Sequence, residues 1–452
     1  MKVTAVLLAA GQGTRMKSRI PKVLHTLCGQ PLIRYVLESV GQASNTSPVV
    51  VVGYGADQVR DYIGDLARCV LQQPQLGTGH AVQQTETLLD GKADYLIVCY
   101  ADMPLLRGES LKRLVEAQKR NAGPISLLTV TAEDPRGFGR VLRRPDGTVS
   151  AIVEEAQATT EQLVTRELNV GAYCFSAAWL WAALKRLPLS SKGEYYLTDV
   201  IGLAAAEGLP VQALALDDPS EAIGINTRLH LTEAEAIMRQ RINHAHMLAG
   251  VTIVDPASTY IEAAVSIGPD TTIWPNTYLQ GETHIGEDCV IGPNSIVHDT
   301  TVGNGCKVLA SVMEGALLED GVDIGPFARL RKGAHLAKGV HMGNFGEVKD
   351  SYLGPGVKMG HFSYVGDATI GEETNIGAGT ITCNYDGKQK HPTEIGKDVF
   401  LGSDTMLVAP LKIGDRSRTG AGSVVTKDVP PDTLVVGIPA RAIRKLKKKD
   451  GD

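Results

Sequence analysis

The stretch Ile267-Gly268-Pro269-Asp270-Thr271-Thr272-Ile273-Trp274-Pro275-Asn276-Thr277-Tyr278-Leu279-Gln280-Gly281-Glu282-Thr283-His284-Ile285-Gly286 sets an aliphatic residue at every sixth position. The spacing returns at Ile291-Gly292, Ile324-Gly325, Leu330, Leu336, Met342-Gly343 and Val348, and again from Ile370-Gly371 and Ile376-Gly377 to Leu407 and Ile413-Gly414. An amphipathic helix would repeat about every 3.6 residues and a half-buried strand about every 2, so neither fits. A fixed short period marks a solenoid, whose turns bury their apolar face only by stacking on neighbours. The period predicts a triangular parallel β-helix from about Ile267 to Val425, with one hexapeptide per side. The aliphatic side chain points inward and Gly or a small residue fits the corner. Nothing before about Pro256 shows the period.

A chain of 452 residues is expected to hold two or three domains around a large core. Aromatics at 5% and 49 glycines suit a β-helix packed with Val, Ile and Leu. A net charge of −5 creates no global field for nucleic acid or an anionic membrane. The seven cysteines are odd in number and lack a CxxC pair, which reads as reduced thiols in a cytosolic protein. Val3–Ala10 is too short, and too quickly followed by Gly11-Gln12-Gly13, for a signal peptide, and no apolar run reaches membrane-spanning length. The expectation is a cytoplasmic chain.

The first half alternates strand-like runs (Val3–Ala9, Val49–Val52, Tyr95–Cys99, Ile125–Val130) with helix-like ones (Pro31–Val40, Ala56–Asp65, Gly79–Leu89, Ser110–Lys119). Alternation of this kind predicts a mostly parallel sheet covered by helices, with ligands at the carboxyl ends of its strands. Leu231–Leu248, rich in helix formers, predicts a linker helix about 27 Å long. The expected domains are therefore 1–228, a linker helix at 229–250, and 251–452. The basic tail from Arg441 to Asp452 reads as a solvated end or as a cover for an anionic ligand.

Leu8-Ala9-Ala10-Gly11-Gln12-Gly13-Thr14-Arg15-Met16 follows the first strand, with Pro21-Lys22 shortly after. Glycines let a backbone approach phosphate oxygens, and Arg15 and Lys22 add positive charge where a triphosphate would be attacked. There is no Gly-Lys-Ser/Thr of a Walker loop, and Met16 stands where the dinucleotide fingerprint wants its third glycine. The loop, Pro21-Lys22, and Gln72-Gln73-Pro74-Gln75-Leu76-Gly77-Thr78-Gly79-His80 resemble the sugar-1-phosphate nucleotidylyltransferases. With the hexapeptide half, nearly the whole chain resembles the bacterial bifunctional N-acetylglucosamine-1-phosphate uridylyltransferase/glucosamine-1-phosphate acetyltransferase family.

That resemblance implies a Rossmann-like nucleotidyltransferase domain followed by a left-handed parallel β-helix of hexapeptide repeats, assembled as a homotrimer. It implies acetyl transfer from acetyl-CoA to glucosamine 1-phosphate, then uridylyl transfer from UTP to give UDP-N-acetylglucosamine, a precursor of peptidoglycan and lipopolysaccharide. It assigns Leu8, Ala9, Gly11, Gln72, Gly77 and Thr78 to the uridine nucleotide, and Arg15 and Lys22 to its phosphates. Asp102 and Asn226 match a Mg²⁺ pair, whose hard oxygen donors suit an ion bridging phosphates. Gly139, Glu154 and Asn169 match positions that hold N-acetylglucosamine 1-phosphate. Ala101 stands where the family commonly has Gly, and its methyl is expected to crowd the nucleotide slightly.

In the repeat half, Arg331 follows inward Leu330 and Lys349 follows inward Val348, eighteen residues later. Three hexapeptides per turn predict that the two cations share one corner of consecutive coils, about 4.8 Å apart, as a clamp for a sugar phosphate. His361 lies just past an inward position and can face outward, where imidazole is a natural base for an amine attacking a thioester. The resemblance makes His361 that base and places Tyr364, Asn375 and Lys390 around glucosamine 1-phosphate. The period breaks at Cys383–Pro392, which predicts an external loop. The resemblance puts Asn384 at the amine and Tyr385 near acetyl-CoA, with Ala378, Ser403, Ala421 and Ile438 in the same acetyl-CoA site. Two departures stand out: Gly346 replaces a bulkier apolar residue, and Ile438 an Arg found in some relatives. Two other readings of the architecture are a nucleotidylyltransferase whose β-helix only oligomerises, and a scaffold without chemistry.

Overall fold

The computed structural model describes residues 1–445. The chain divides into two compact units, Met1–Met238 and Arg239–Asp452.

The first unit is built on a nine-stranded sheet. Its main path runs Val211–Ala215, Ile125–Thr131, Glu167–Ser176, Tyr95–Tyr100, Val3–Ala9, Val49–Val52 and Arg68–Leu71. The strands around Val3–Ala9 are parallel, with Leu8 opposite both Tyr100 and Val51. Their apolar runs are buried because helices such as Leu32–Ala43 and Gly108–Arg120 pack against the sheet. Glu167–Ser176 departs from the parallel expectation, pairing antiparallel with both of its neighbours. Its register shifts between Asn169 and Tyr173, where Gly171 has φ of 82°. A bulge of this kind re-aims a side chain, here Asn169.

The division between the units falls within the helix Arg228–Leu248. That helix begins earlier than its run of helix formers suggests, because the Thr227 hydroxyl accepts the His230 N–H at 3.2 Å and caps it. No helix among the described residues is long and apolar enough to cross a membrane.

The second unit is a parallel β-helix with three faces, of twelve, ten and nine strands among the described residues. The aliphatic residues form inward columns, such as Ile273–Ile291 on one face and Leu330–Val348–Val365 on another. The sequence reading missed a second set of inward positions at the corners of all three faces, filled by small residues including Thr271, Thr277, Thr283, Ser311, Thr380 and Thr405, all nearly fully buried. Each of these hydroxyls would be costly in an apolar core, but each donates to a backbone carbonyl near its corner, as Thr283 does to Gln280 O at 2.6 Å.

The solenoid starts earlier than the period suggests, with Thr252–Ile253 paired to Thr272–Ile273. Its first turn carries extra residues around Asp255, which masks the phase. Ile242 and Met247 of the long helix pack on this end of the core, and buried Asn243 donates to the carbonyls of Pro256 and Thr259. A stack that cannot bury its last turn needs a cap of this sort. At the other end Arg441–Lys445 is an exposed strand antiparallel to Thr433–Val436, and the rest of the basic tail lies outside the described residues. Gly346 is explained by packing: a Cβ there would stand 2.8 Å from Met342 Cε and 3.0 Å from Met359 Cε, so two methionines fill its space.

Ile324→Ala, inside a column, is expected to lower stability by about 2–5 kcal/mol. Val312→Ala, on an outward position, should change it by about 0.5 kcal/mol or less. Urea midpoints of the two variants check this, and equal shifts would contradict the inward assignment.

Candidate functional site

The carboxyl edge of the first unit's parallel strands opens into a cavity of about 690 Å³. Leu8, Ala9, Gly11, Arg15, Lys22, Gln72, Gly77, Thr78, Asp102, Gly139, Glu154, Asn169 and Asn226 all line it, although they span most of the first unit's sequence. Pairing causes much of the convergence. Val3–Ala9 and Tyr95–Tyr100 run in register, and Ala101 N–H donates to Leu8 O at 3.1 Å, so the Gly11 loop and Asp102 leave the sheet side by side.

A Cβ on Gly11 would meet nothing within 4 Å, so its backbone is open to the cavity. Gln75 Nε2 holds the loop by donating to Ala10 O at 2.6 Å. That bond needs Gly53, whose added Cβ would lie 2.4 Å from Gln75 Nε2 and 2.7 Å from Ala10 O. Gln72 Nε2 donates to Gly77 O at 2.9 Å and meets His80 Nδ1 at 3.1 Å. Thr78 Oγ1 accepts the Leu197 N–H at 3.0 Å.

Lys22 sits at the centre. Its Nζ pairs with the Asp102 carboxylate and donates to Asn226 Oδ1 at 3.2 Å. Two hard oxygens from distant parts of the chain thus converge on one positive charge, which is the donor set a divalent cation sharing phosphate ligands requires. No cluster of three or more His, Cys, Asp or Glu suited to a metal occurs among the described residues. A metal here would need oxygens from substrate or water. Ala101 is fully buried in the core and is absent from the lining, so its methyl does not crowd the cavity.

The far wall carries Glu154, Asn169 and Gly139. Glu154 Oε1 accepts the Thr198 hydroxyl at 2.9 Å, and Asn169 Nδ2 donates to Tyr173 Oη at 2.7 Å. Burial pushes the Glu154 carboxyl above its usual range, against the lowering effect of Thr198. Tyr100, Gln75, Phe138 and Tyr196 also line the cavity and were missed. Gln75 stands inside the quoted Gln-Gln-Pro-Gln motif and was legible; Tyr196 lies in a segment with no motif.

In the β-helix the sequence-predicted residues fall into two groups. Leu330 pairs with Val348 and Val348 with Val365, so Arg331 and Lys349 occupy one corner of consecutive coils. Carboxylates partner both cations: Arg331 donates to Glu347 at 3.0 Å and Lys349 pairs with Asp350. Asp350 raises the Lys349 pKa, while contact with the Lys349 ammonium lowers that of Lys390 on the Cys383–Pro392 loop. Asn384 Nδ2 bonds the Asp367 carboxylate and reaches Tyr364 Oη at 3.5 Å. Arg331, Lys349, Tyr364, Asn384 and Lys390 are thereby brought together. Tyr385 bridges to Lys390 in an external hairpin and is exposed. Glu347, Asp350 and Asp367 were missed, although each stands within three residues of a position already singled out.

The second group lies at the other end of the strand Ser363–Gly366. Register through Lys358–Asn375, Ile376–Leu401 and Phe400–Arg418 places His361, Ala378, Ser403 and Ala421 at equivalent positions of successive coils, with Asn375 on the adjoining face. His361 is exposed and stands five residues before Gly366, so roughly 16 Å of extended chain separates it from the Lys349 corner. Among the described residues His361 forms no hydrogen bond or ion pair with the cation cluster, whose bonds run through Glu347, Asp350 and Asp367. Ile438 is 79% exposed beyond the end of this column.

Residues 5–200 match the family model of the MobA-like NTP transferase domain. Residues 264–299 match the bacterial transferase hexapeptide (six repeats), and 392–427 the hexapeptide repeat of succinyl-transferase. The chain is 45% identical over 446 residues to the bifunctional protein GlmU of Streptococcus equi subsp. zooepidemicus, covering 98% of this chain and 97% of that protein. It is 47% identical over 436 residues to the bifunctional protein GlmU of Heliobacterium modesticaldum, covering 96% and 95%. For the namesake from Streptococcus agalactiae serotype V the values are 44% over 434 residues, 96% and 95%.

The raised Glu154 carboxyl has a consequence for stability. A carboxyl with a folded pKa above its unfolded one binds its proton more tightly in the folded state, so it weakens folding as pH rises through that range. Glu154→Gln retains an acceptor for Thr198. It should stabilise the protein at about pH 8 and be nearly neutral at about pH 3.5, where both states are protonated. Thermal unfolding at the two pH values checks the sign; an equal gain at both would remove the titration argument.

Proposed function

The chain belongs to the family of bifunctional GlmU proteins, and on that premise we propose how its two units divide the chemistry of UDP-N-acetylglucosamine synthesis. Residues 1–228 are the uridylyltransferase domain, 229–250 the linker helix, and 251–452 the N-acetyltransferase domain. The observation that carries this reading is the single cavity in which Arg15, Lys22, Asp102, Glu154, Asn169 and Asn226 meet.

In that cavity Leu8, Ala9, Gly11, Gln72, Gly77 and Thr78 hold the uridine nucleotide of UTP. Gly139, Glu154 and Asn169 hold N-acetylglucosamine 1-phosphate. A phosphate oxygen of the sugar attacks the α-phosphorus of UTP in line, the bond to the β-phosphate oxygen breaks, and pyrophosphate leaves. No protein nucleophile is required; positioning and charge stabilisation carry such a transfer. Arg15 and Lys22 stabilise the charge growing on the leaving group. Asp102 and Asn226 would hold Mg²⁺, which supplies further neutralisation of the phosphate oxygens.

In the β-helix, Arg331, Lys349 and Lys390 bind the phosphate of glucosamine 1-phosphate, with Tyr364 and Asn375 around the sugar and Asn384 at its amine. The amine nitrogen attacks the thioester carbon of acetyl-CoA, and the C–S bond breaks to release the CoA thiol. His361 accepts the ammonium proton on a ring nitrogen. Ala378, Asn384, Tyr385, Ser403, Ala421 and Ile438 line the path of acetyl-CoA. The separation of His361 from the cation cluster within one chain supports a homotrimer, in which a neighbouring subunit completes each acetyl-transfer site. Such a protein binds small-molecule substrates rather than nucleic acid or membrane and works in the cytoplasm, feeding peptidoglycan and lipopolysaccharide synthesis.

Asp102→Ala and Asn226→Ala are each expected to abolish UTP-dependent pyrophosphate release and to leave CoA-thiol release near wild type. Loss of both activities in folded protein would sink the division of labour.

His361→Ala should do the reverse, lowering acetyl transfer by about 10²–10⁴-fold, the worth of a positioned base. Mixing His361→Ala with Asn384→Ala subunits should restore part of that activity if sites are shared. No recovery on mixing, or full activity in a monomer, would refute the shared site.

A further inference from the structure

Arg136 and Glu233 are not among the residues assigned to either reaction, yet they form a bidentate ion pair beside the first cavity's wall. Arg136 Nη1 donates to Glu233 Oε2 at 2.8 Å, and Nη2 to Oε1 at 2.6 Å. The two parallel bonds are the fork-to-fork geometry that makes Arg–carboxylate pairs both strong and directional. The side chains are 30% and 38% exposed, so water screens the pair only in part.

The pair joins two elements that meet at the cavity. Arg136 lies in the segment between the strands Ile125–Thr131 and Arg140–Arg143, and Gly137, Phe138 and Gly139, the residues that follow it, line the cavity wall. Arg136 has φ of 49°, a conformation a non-glycine residue holds only when its surroundings fix it. The fixing bonds are the turn from Phe138 N to Pro135 O at 2.8 Å, the bond from Arg136 N to Asp134 Oδ1 at 3.1 Å, and the fork to Glu233. Glu233 is in the second turn of the helix that Thr227 caps, and Asn226 immediately precedes that cap. Asn226 N–H donates to His230 Nδ1 at 3.4 Å, on the same helical turns. Gly139 O in turn accepts the Asn169 N–H at 2.9 Å.

We propose that the Arg136–Glu233 fork is a positioning clamp that sets the spacing between the sugar-holding wall at Gly139 and Asn169 and the phosphate-facing Asn226. The inference rests on the reading that Gly139, Glu154 and Asn169 hold the sugar phosphate. The clamp touches no substrate. Releasing it lets the wall from Asp134 to Gly139 drift from the helix, which loosens the sugar phosphate and leaves the nucleotide side, held by Gln72, Gln75 and Thr78, in place.

Steady-state kinetics of uridylyl transfer on the full chain test it with Glu233→Gln, Arg136→Lys, the charge swap Arg136→Glu/Glu233→Arg, and Asn169→Ala as a control. Glu233→Gln should raise KM for N-acetylglucosamine 1-phosphate about 5–10-fold, the size expected of a half-buried bidentate pair. Its KM for UTP and its acetyl transfer should stay unchanged. Arg136→Lys, which keeps charge but loses the fork, should show most of the same rise, and the swap should recover part of it. If Asn169→Ala raises the sugar KM and Glu233→Gln does not, the clamp is overturned and the assignment of the wall stands. If Asn169→Ala leaves that KM untouched, the assignment itself fails. A Glu233→Gln protein in which both KM values rise and kcat falls together, with no recovery in the swap, makes the pair a general structural contact and also overturns the clamp.

Discussion

In-register parallel pairing is the constraint on which both units depend. A parallel strand cannot turn back on its neighbour, so equivalent positions of successive strands are stacked and their carboxyl ends emerge together. In the first unit the pairing of Leu8 with Tyr100 carries the Gly11 loop and Asp102 out of the sheet at one edge. In the second, the column Leu330–Val348–Val365 leaves no freedom in where Arg331 and Lys349 point, since a slip of one residue would turn every aliphatic side chain outward. The cores are ordinary aliphatic packing, and the chemistry-bearing residues stand where that packing ends.

A second theme is charge held in reserve. Lys22 is partnered by Asp102 and Asn226, and Lys349 by Asp350 with Asp367 close by. A cation left alone in a partly dry cleft would be costly, and the carboxylates beside each offset that cost within the protein. Under the proposed function, phosphate binding would be an exchange of partners, cheaper in reorganisation than gathering scattered side chains from solvent. The contact of the Lys390 ammonium with that of Lys349 lowers the Lys390 pKa at the β-helix corner.

The fold was legible because a six-residue period has few structural solutions, and the nucleotide loop because glycine spacing and Arg15 and Lys22 constrain a backbone directly. The stacking of Arg331 on Lys349 followed from arithmetic on the same period. Other features left no one-dimensional signal. The antiparallel strand Glu167–Ser176 reads like any buried strand, and Tyr100, against which a Cβ at Gly171 would clash, is far away in sequence from its bulge. The corner hydroxyls of Thr271, Thr277 and Thr283 look like surface threonine until the carbonyls they bond are seen. The acidic partners Glu347, Asp350 and Asp367 carry no motif, because they answer the fold's need to neutralise the cations and to pair Asn384, not the chemistry of a phosphate site. Similarly, the methyl of Ala101 was expected in the cavity, but the strand's alternation turns it into the core.

The central claim is that one chain carries out both transfers, and a single stoichiometric assay tests it most directly. Purified protein is supplied with glucosamine 1-phosphate, acetyl-CoA, UTP and Mg²⁺, while CoA thiol, pyrophosphate and UDP-N-acetylglucosamine are followed together. The account predicts that all three form, in equal amounts once the intermediate reaches steady state, and that omitting acetyl-CoA stops the nucleotide sugar until N-acetylglucosamine 1-phosphate is added. Pyrophosphate release from N-acetylglucosamine 1-phosphate and UTP with no thiol release from acetyl-CoA would contradict it, leaving a nucleotidylyltransferase whose β-helix serves assembly alone.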